Sequence, residues 1–313
     1  MATHDGMTFD DLMAGEKSDG VAFKKEGGDK RPRSMSYLGW TEAMDGLVSK
    51  TKNNALQVVI GDDFRGDKAV LIQNMGETGN WPARFETPPM VANYPRLSGD
   101  GNLGTKFAPE KKDASFEVTL SVGELEQVED DANKNEITLC AQKDFVDNIK
   151  SRSMEAFNLM WHTEGLLEQK KMKIIKSYAK MKKIDVKKVD KTDPDLIEMF
   201  IDENMGMPVK LSKSPVMIPL KARAFKRDFK SGSDELHCKP IPIYNAGGEQ
   251  LNADDNDTDY VERGDLLTCE VAMSTYMVNG NFGCKFELKG VTILKKGAGG
   301  SKKRKTNWGS LMA

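Results

Sequence analysis

The chain has 313 residues, with 46 Lys and Arg against 48 Asp and Glu, 38% hydrophobic and 30% charged residues, and a formal net charge of −2. That is enough for one large or two ordinary cores in a polar, soluble chain. No apolar run reaches the roughly 18 residues a membrane helix needs, and MATHDGMTFDDLMAGEKSDG lacks the basic-then-apolar order of a secretory signal, so neither is expected.

Near-neutrality here is a sum over segregated charge. Residues 170–191 hold ten lysines and two aspartates, and no acidic residue follows Glu287. Acid is gathered instead in ELEQVEDD (124–131) and NADDNDTDYVE (252–262). Such segregation lets a polyanion bind locally while the whole stays near neutral. The four cysteines, Cys140, Cys238, Cys269 and Cys284, form no CxxC pair. Cys269 and Cys284 fall on apolar strand faces, which fits free thiols in a reduced, intracellular setting.

In chain order, residues 1–54 have no sustained period and are expected to be largely disordered, with at most a short helix around SYLGWTEAMDGLV. LQVVI (56–60) and AVLIQ (69–73) read as two strands joined by the turn-rich GDDFRGDK. WPARFETPPMVA is held extended by Pro88 and Pro89, and ASFEVTLSV alternates Phe116, Val118, Leu120 and Val122 on one face. The period then becomes helical: Asp144 to about Met160, about Leu166 to Ile184, and a short helix opened by Asp193 as N-cap and Pro194 at the first position, stopping near Gly206.

Strands return at 216–229, in ELHCKPIPIY, and in a hairpin of 266–278 with 283–294, turned by Asn279-Gly280. Cys269, Val271, Met273 and Met277 make its one apolar face, and Cys284, Phe286 and Leu288 the other. The order β, helices, β predicts a mainly β, α+β chain. It would be a small barrel or sandwich over 55–296, interrupted by a two- to three-helix block at about 143–205 and followed by a basic disordered tail, 297–313.

PLKARAFKRDF (219–229) carries the functional signal. Every second residue gives Lys221, Arg223, Phe225, Arg227 and Phe229, three cations interleaved with two rings on one strand face. Binders of single-stranded nucleic acid set cations along the phosphate track and flat rings under the bases. The alternative is that the two rings face a core while the cations snorkel from strand ends. In the hairpin, Tyr276 and Lys285 lie opposite the apolar stripes and Phe282 in the turn, a second set of the same kind. The lysine-rich helix, with lysines on nearly every side, is either a solvated face or a backbone contact.

The tail GAGGSKKRKTNWGSLMA places Lys302, Lys303, Arg304 and Lys305 as a nuclear import signal, a polyanion contact or chance charge. Residues 254–265 miss the glycine and final glutamate of a calcium loop and read as a solvated acidic loop. GETGNW lacks the Gly-Lys-Ser/Thr of a phosphate loop, and His4, His162 and His237 are not spaced as ligands. No nucleophile-and-base set, metal site or cofactor is expected, so the chain does not read as an enzyme.

RFETPPMVANY (84–94), ASFEVTLSV, DFVDNI, MIPLKARAF and RGDLLTCEVAMSTYMVNGNFGCKFELKGVTIL (263–294) follow in an order that resembles the single-stranded-DNA-binding proteins of large nucleocytoplasmic DNA viruses. These are related to the OB-fold binding protein of short-tailed coliphages. The resemblance covers about 84 to 295. It implies an OB-like barrel interrupted by helices that coats single-stranded DNA in viral replication or recombination, in the host nucleus or a viral replication compartment or packaged in the virion. Lys221, Arg223, Phe225, Arg227, Phe229, Tyr276, Phe282 and Lys285 would face the DNA. Replication proteins and a second copy of the chain are the partners it suggests, with no membrane. Phage members end in an acidic tail with a terminal aromatic, whereas this chain ends basic with Trp308 five residues before its last residue, so tail-mediated recruitment of that kind is not implied. Two other readings stand beside it: a virion structural or DNA-packaging protein using the basic tail, and a protein–protein adaptor using the acidic loop and helical block.

Overall fold

The computed structural model describes residues 56–63, 66–74, 81–123, 132–213, 215–227 and 235–297. The helix expected around SYLGWTEAMDGLV and the basic tail lie outside the described residues. In chain order the strands are β1 (Leu56–Asp62), β2 (Lys68–Asn74), β3 (Ala83–Glu86), β4 (Met90–Arg96) and β5 (Ser115–Ser121). Helices α1 (Ala132–His162), α2 (Glu168–Lys182) and α3 (Pro194–Asn204) follow, with a 3-10 turn at Val186–Lys188. Then come β6 (Met205–Gly206), β7 (Met217–Arg223), β8 (Phe225–Arg227), β9 (Leu236–Cys238), β10 (Ile243–Asn245), β11 (Leu266–Val278) and β12 (Asn281–Lys295).

Five strands close a ring: β4 pairs β5, β5 pairs β7, β7 pairs β12, β12 pairs β11, and β11 returns to β4. The contact of β7 with β12 is parallel, and the others are antiparallel. A five-stranded Greek-key ring closed in this way is a barrel of the OB kind, with the helical block inserted between its second and third strands. The expected mainly β, α+β architecture is therefore the observed one. Pro88 and Pro89 bend the first ring strand, so that β3 and β4 both pair with β11, Phe85 opposite Val271 and Val91 opposite Leu266. β1 and β2 form a separate antiparallel hairpin, with Leu56 opposite Asn74 and Asp62 opposite Lys68.

The core lies inside the ring and beneath α1. Phe116, Val118 and Leu120 of β5, Ile218 and Leu220 of β7, and Cys284, Phe286 and Leu288 of β12 are buried. α1 sends Phe145 against Phe85 and Phe286, at centroid distances of 5.9 and 6.5 Å, and Phe157 against Phe282 at 6.0 Å. Each such ring contributes about 1.5–3 kcal/mol through burial. α1 begins at Ala132 rather than Asp144, because its first part touches the barrel through a polar residue that apolar spacing does not detect. Gln142 is buried, accepts from the Gly123 N–H at 2.8 Å and donates to the Pro89 carbonyl at 2.6 Å. α3 starts as expected: the Asp193 side chain accepts from the Asp195 N–H, with Pro194 in the first turn. A second small cluster, Trp161, Ile174, Tyr178, Leu196 and Phe200, ties α2 and α3 to the end of α1.

Candidate nucleic-acid interface

Alternation along β7 decides what leaves the barrel. Ile218, Leu220 and Ala222 point inward, and Lys221 and Arg223 are exposed. Across the strands, Arg96 lies opposite Glu117, Glu117 opposite Lys221, and Lys221 opposite Glu287. A row of alternating charge thus crosses β4, β5, β7 and β12 on the outer face. Lys221 Nζ is 2.6 Å from Glu117 Oε1, and Lys289 Nζ is 2.6 Å from Glu287 Oε1, with Lys226 Nζ at 3.9 Å from the same oxygen.

Cations outnumber carboxylates around this row. Burial alone would raise the Glu117 carboxyl, but hydrogen bonds from Lys221 and Ser115 and the charges of Lys221 and Arg96 together hold it below the usual range. Glu287 behaves alike: burial raises it, and Lys289, Lys226 and Lys285 more than reverse that. Lys226 is pushed down, first by burial. Glu287 pulls it back up, but the like charges of Lys289, Lys239 and Arg223 add to the depression. The cations' share of that depression is what an anion settling among them would offset.

Lys221, Arg223, Arg227 and Lys285 are exposed, as a phosphate track requires. Two rings are not where the alternation predicts. Phe225 is 5% exposed because the strand breaks at Ala224. The Ala224 N–H donates to the Ala114 carbonyl, its carbonyl accepts from Lys239 N–H, and the pairing passes from β5 to β9. Ala224 and Phe225 both point inward, so the period slips by one residue and the Phe225 ring is core, with Lys111 Nζ 5.4 Å from its centroid. Phe282 is 2% exposed and packs on Phe157, so it too belongs to the core rather than to the turn surface. Met277, expected on the apolar face, is 53% exposed. Phe229 and Lys302, Lys303, Arg304 and Lys305 lie outside the described residues. Tyr276 is half-buried, facing Gly283 across the ladder. A Cβ on Gly283 would stand 2.6 Å from its Cζ, so the absent side chain is what lets the ring lie flat across β12.

Two rings more than half exposed escape the strand pattern. Phe107, 78% exposed, sits in the loop joining β4 to β5, with Lys106 Nζ 4.8 Å from its centroid. Tyr94, 65% exposed, protrudes at the irregularity between Asn93 and Arg96, with the Arg263 guanidinium 5.5 Å from its ring. TKFAPEKK carries the signal for the first, an aromatic among lysines and turn residues; the Tyr94-Pro95 pair is a weak signal for the second. Among the described residues, no group of three His, Cys, Asp or Glu is placed to hold a metal ion, and no helix is long and apolar enough to cross a membrane.

No family model and no curated protein matches the chain. Among solved structures, gp2.5, a single-stranded DNA binding protein encoded by bacteriophage T7, is similar over 71% of this chain and 91% of its own, at 14% identity and a TM-score of 0.40. The single-stranded DNA-binding protein of bacteriophage Enc34 covers 79% of this chain and 95% of its own, at 11% identity and a TM-score of 0.34. The same Enc34 protein in complex with single-stranded DNA covers 77% and 96%, at 11% identity and a TM-score of 0.34.

Proposed function

We propose that the protein binds single-stranded DNA without sequence preference and without catalysis, on the outer face of β5, β7 and β12. The observation that carries this reading is the cation excess around the charge row. Among the described residues, Lys221 pairs with Glu117, and Lys226 and Lys289 share Glu287, with Arg223 and Lys285 exposed beside them. The face joins the second and third ring strands to the fifth and is flanked by the β4–β5 loop and the β11–β12 turn; OB barrels take up oligonucleotides on the second and third strands and these loops. Phosphates would run along Arg223, Lys221 and Lys285, while Tyr276, Phe107 and Tyr94 supply flat rings for bases. The sequence resemblance points to a role in viral DNA replication or recombination, where such a protein would meet replication proteins.

Fluorescence anisotropy with a labelled oligothymidine and a matched duplex, across a salt series, tests it. Tighter binding of the single strand is expected, weakened by Arg223→Ala and Lys285→Ala. Equal affinity for both forms that is lost with residues 298–313 would replace this reading with packaging through the basic tail. No binding to either would leave the adaptor.

A further inference from the structure

On the sequence the lysines of 170–183 lie on nearly every side of a helix; the fold sorts them. Lys171 is buried, donating to the Thr163 carbonyl at 2.6 Å, and Lys182 is paired with Asp195 at 3.0 Å. What remains is one stripe, Lys173, Lys176 and Lys180 at helical spacings of three and four, continued by Lys183 at the left-handed C-cap, all exposed and without an ion pair among the described residues. Four charges of one sign, counting Lys170 at the head of the stripe, run along about 15 Å of α2 at 1.5 Å per residue, and Lys183 adds a fifth just past its end. Like charges so spaced repel one another by a few tenths of a kcal/mol per pair, and among the described residues no carboxylate is paired with them.

The stripe is not isolated from the barrel. Its first member, Lys170, packs on the tip of the β11–β12 hairpin. Asn279 and Gly280 both have positive φ, 52° and 72°, as the tight turn requires. A Cβ on Gly280 would stand 2.9 Å from Lys170 Cε. A cleft of ≈ 650 Å³ opens between the tip and the start of α2, lined by Glu168, Gln169, Lys170, Lys173, Asn279 and Gly280, with the Glu168 carboxylate held by Lys171 at 3.4 Å. At the same tip, Val278 and Met277 leave the barrel with apolar side chains in water. Cleft, apolar tip and lysine stripe therefore follow one another from the end of the barrel face outward.

We propose that α2 is a second phosphate track, which holds the single strand as it passes over the hairpin tip and leaves the barrel. The inference rests on the proposed function, since the strand it holds is the one bound on β7 and β12. A barrel face of this kind covers about 4–16 nucleotides; the stripe lengthens the site only for strands long enough to cross the tip.

The test is a variant carrying Lys173→Gln, Lys176→Gln, Lys180→Gln and Lys183→Gln, substitutions that keep helix propensity. It is compared with wild type on labelled oligothymidines of about 8 and about 30 nucleotides. On the long strand the salt slope should fall by about two to three units, from roughly 0.7 per lost phosphate contact on single strands, with affinity lowered at least tenfold at low salt. On the short strand affinity and slope should be unchanged, and so should the thermal midpoint. Equal slopes for both proteins on the long strand would overturn the proposal, as would an equal loss on the short strand or on a matched duplex. Failure of the barrel reading looks different: Arg223→Ala and Lys285→Ala would then leave short-strand binding intact, whatever the stripe does.

Discussion

Lys221 Nζ stands 2.6 Å from Glu117 Oε1 across the β5–β7 ladder, so a central cation of the proposed track already has an anionic partner before DNA arrives. The carboxylate competes with phosphate for the same amine. Glu117→Gln removes that competitor and should tighten oligothymidine binding about two- to fivefold, the size of an exposed ion pair, with a steeper salt slope. Weaker binding by this variant would mean that Glu117 holds Lys221 in place rather than occupying it.

Arg223 and Phe225 should separate cleanly. Arg223→Ala is expected to lower affinity and to reduce the salt slope by about 0.7 unit, leaving the thermal midpoint unchanged. Phe225→Ala empties a core position and should cost about 3–5 kcal/mol of stability, read in a denaturant titration. An affinity loss for Phe225→Ala at full stability would restore that ring to the surface.

Alkaline pH distinguishes Lys226 from its neighbours. Its folded-state amine is depressed by burial and by Lys289, Lys239 and Arg223, and a bound phosphate returns it toward the ordinary range. Binding above the depressed value therefore takes up a proton, and affinity should fall as pH rises through it. Lys226→Arg stays charged and should bind evenly over the same range; parallel pH profiles for the two proteins would exclude Lys226 from the track.

Acid should act through stability. Glu117 and Glu287 are held below their ordinary range, so their contribution is fully present above the unfolded carboxyl value of about 4.3. It is lost as pH falls through the lower folded values. Thermal midpoints of wild type and Glu287→Gln should stay a constant distance apart above that value and converge below it.

The thiols divide by position. Cys140 and Cys238 are exposed, whereas Cys269 and Cys284 are buried, the latter pushed up to about 12 by burial. A chromogenic disulfide reagent should titrate two thiols in the native protein and four after denaturation. Cys140 should react before Cys238, whose thiol is raised by burial and by Asp100 and Asp257.

Period-two alternation was enough to read β5, β7 up to Arg223, and the final hairpin away from its tip, because each has one face in the barrel and one in water. It failed at Ala224, where a change of hydrogen-bonding partner shifts the phase without any mark in the sequence. It failed again at Phe282, whose pocket is made by Phe157, a residue 125 positions earlier (282 − 157) on a helix. The cations of the candidate face were legible because charge on a strand needs an outward position. Its exposed rings were not, since Tyr94 and Phe107 sit at a strand irregularity and in a loop, where no period applies. The α2 stripe became visible only once tertiary contacts had removed Lys171 and Lys182 from the set.

β12 receives β6, β7 and β10 in succession along one edge and β11 along the other. Until it is made, a growing chain holds β7 and β11 as two open sheet edges, hydrogen-bonding groups exposed to any other nascent chain nearby. The pairing that closes β7, Lys221 with Glu287, joins residues far apart in the chain, and non-local pairings of that kind form slowly. Synthesis of this protein therefore carries a vulnerable interval that ends with one strand, and a chain interrupted before Asn281 is expected to aggregate rather than to persist as a weaker version of the whole.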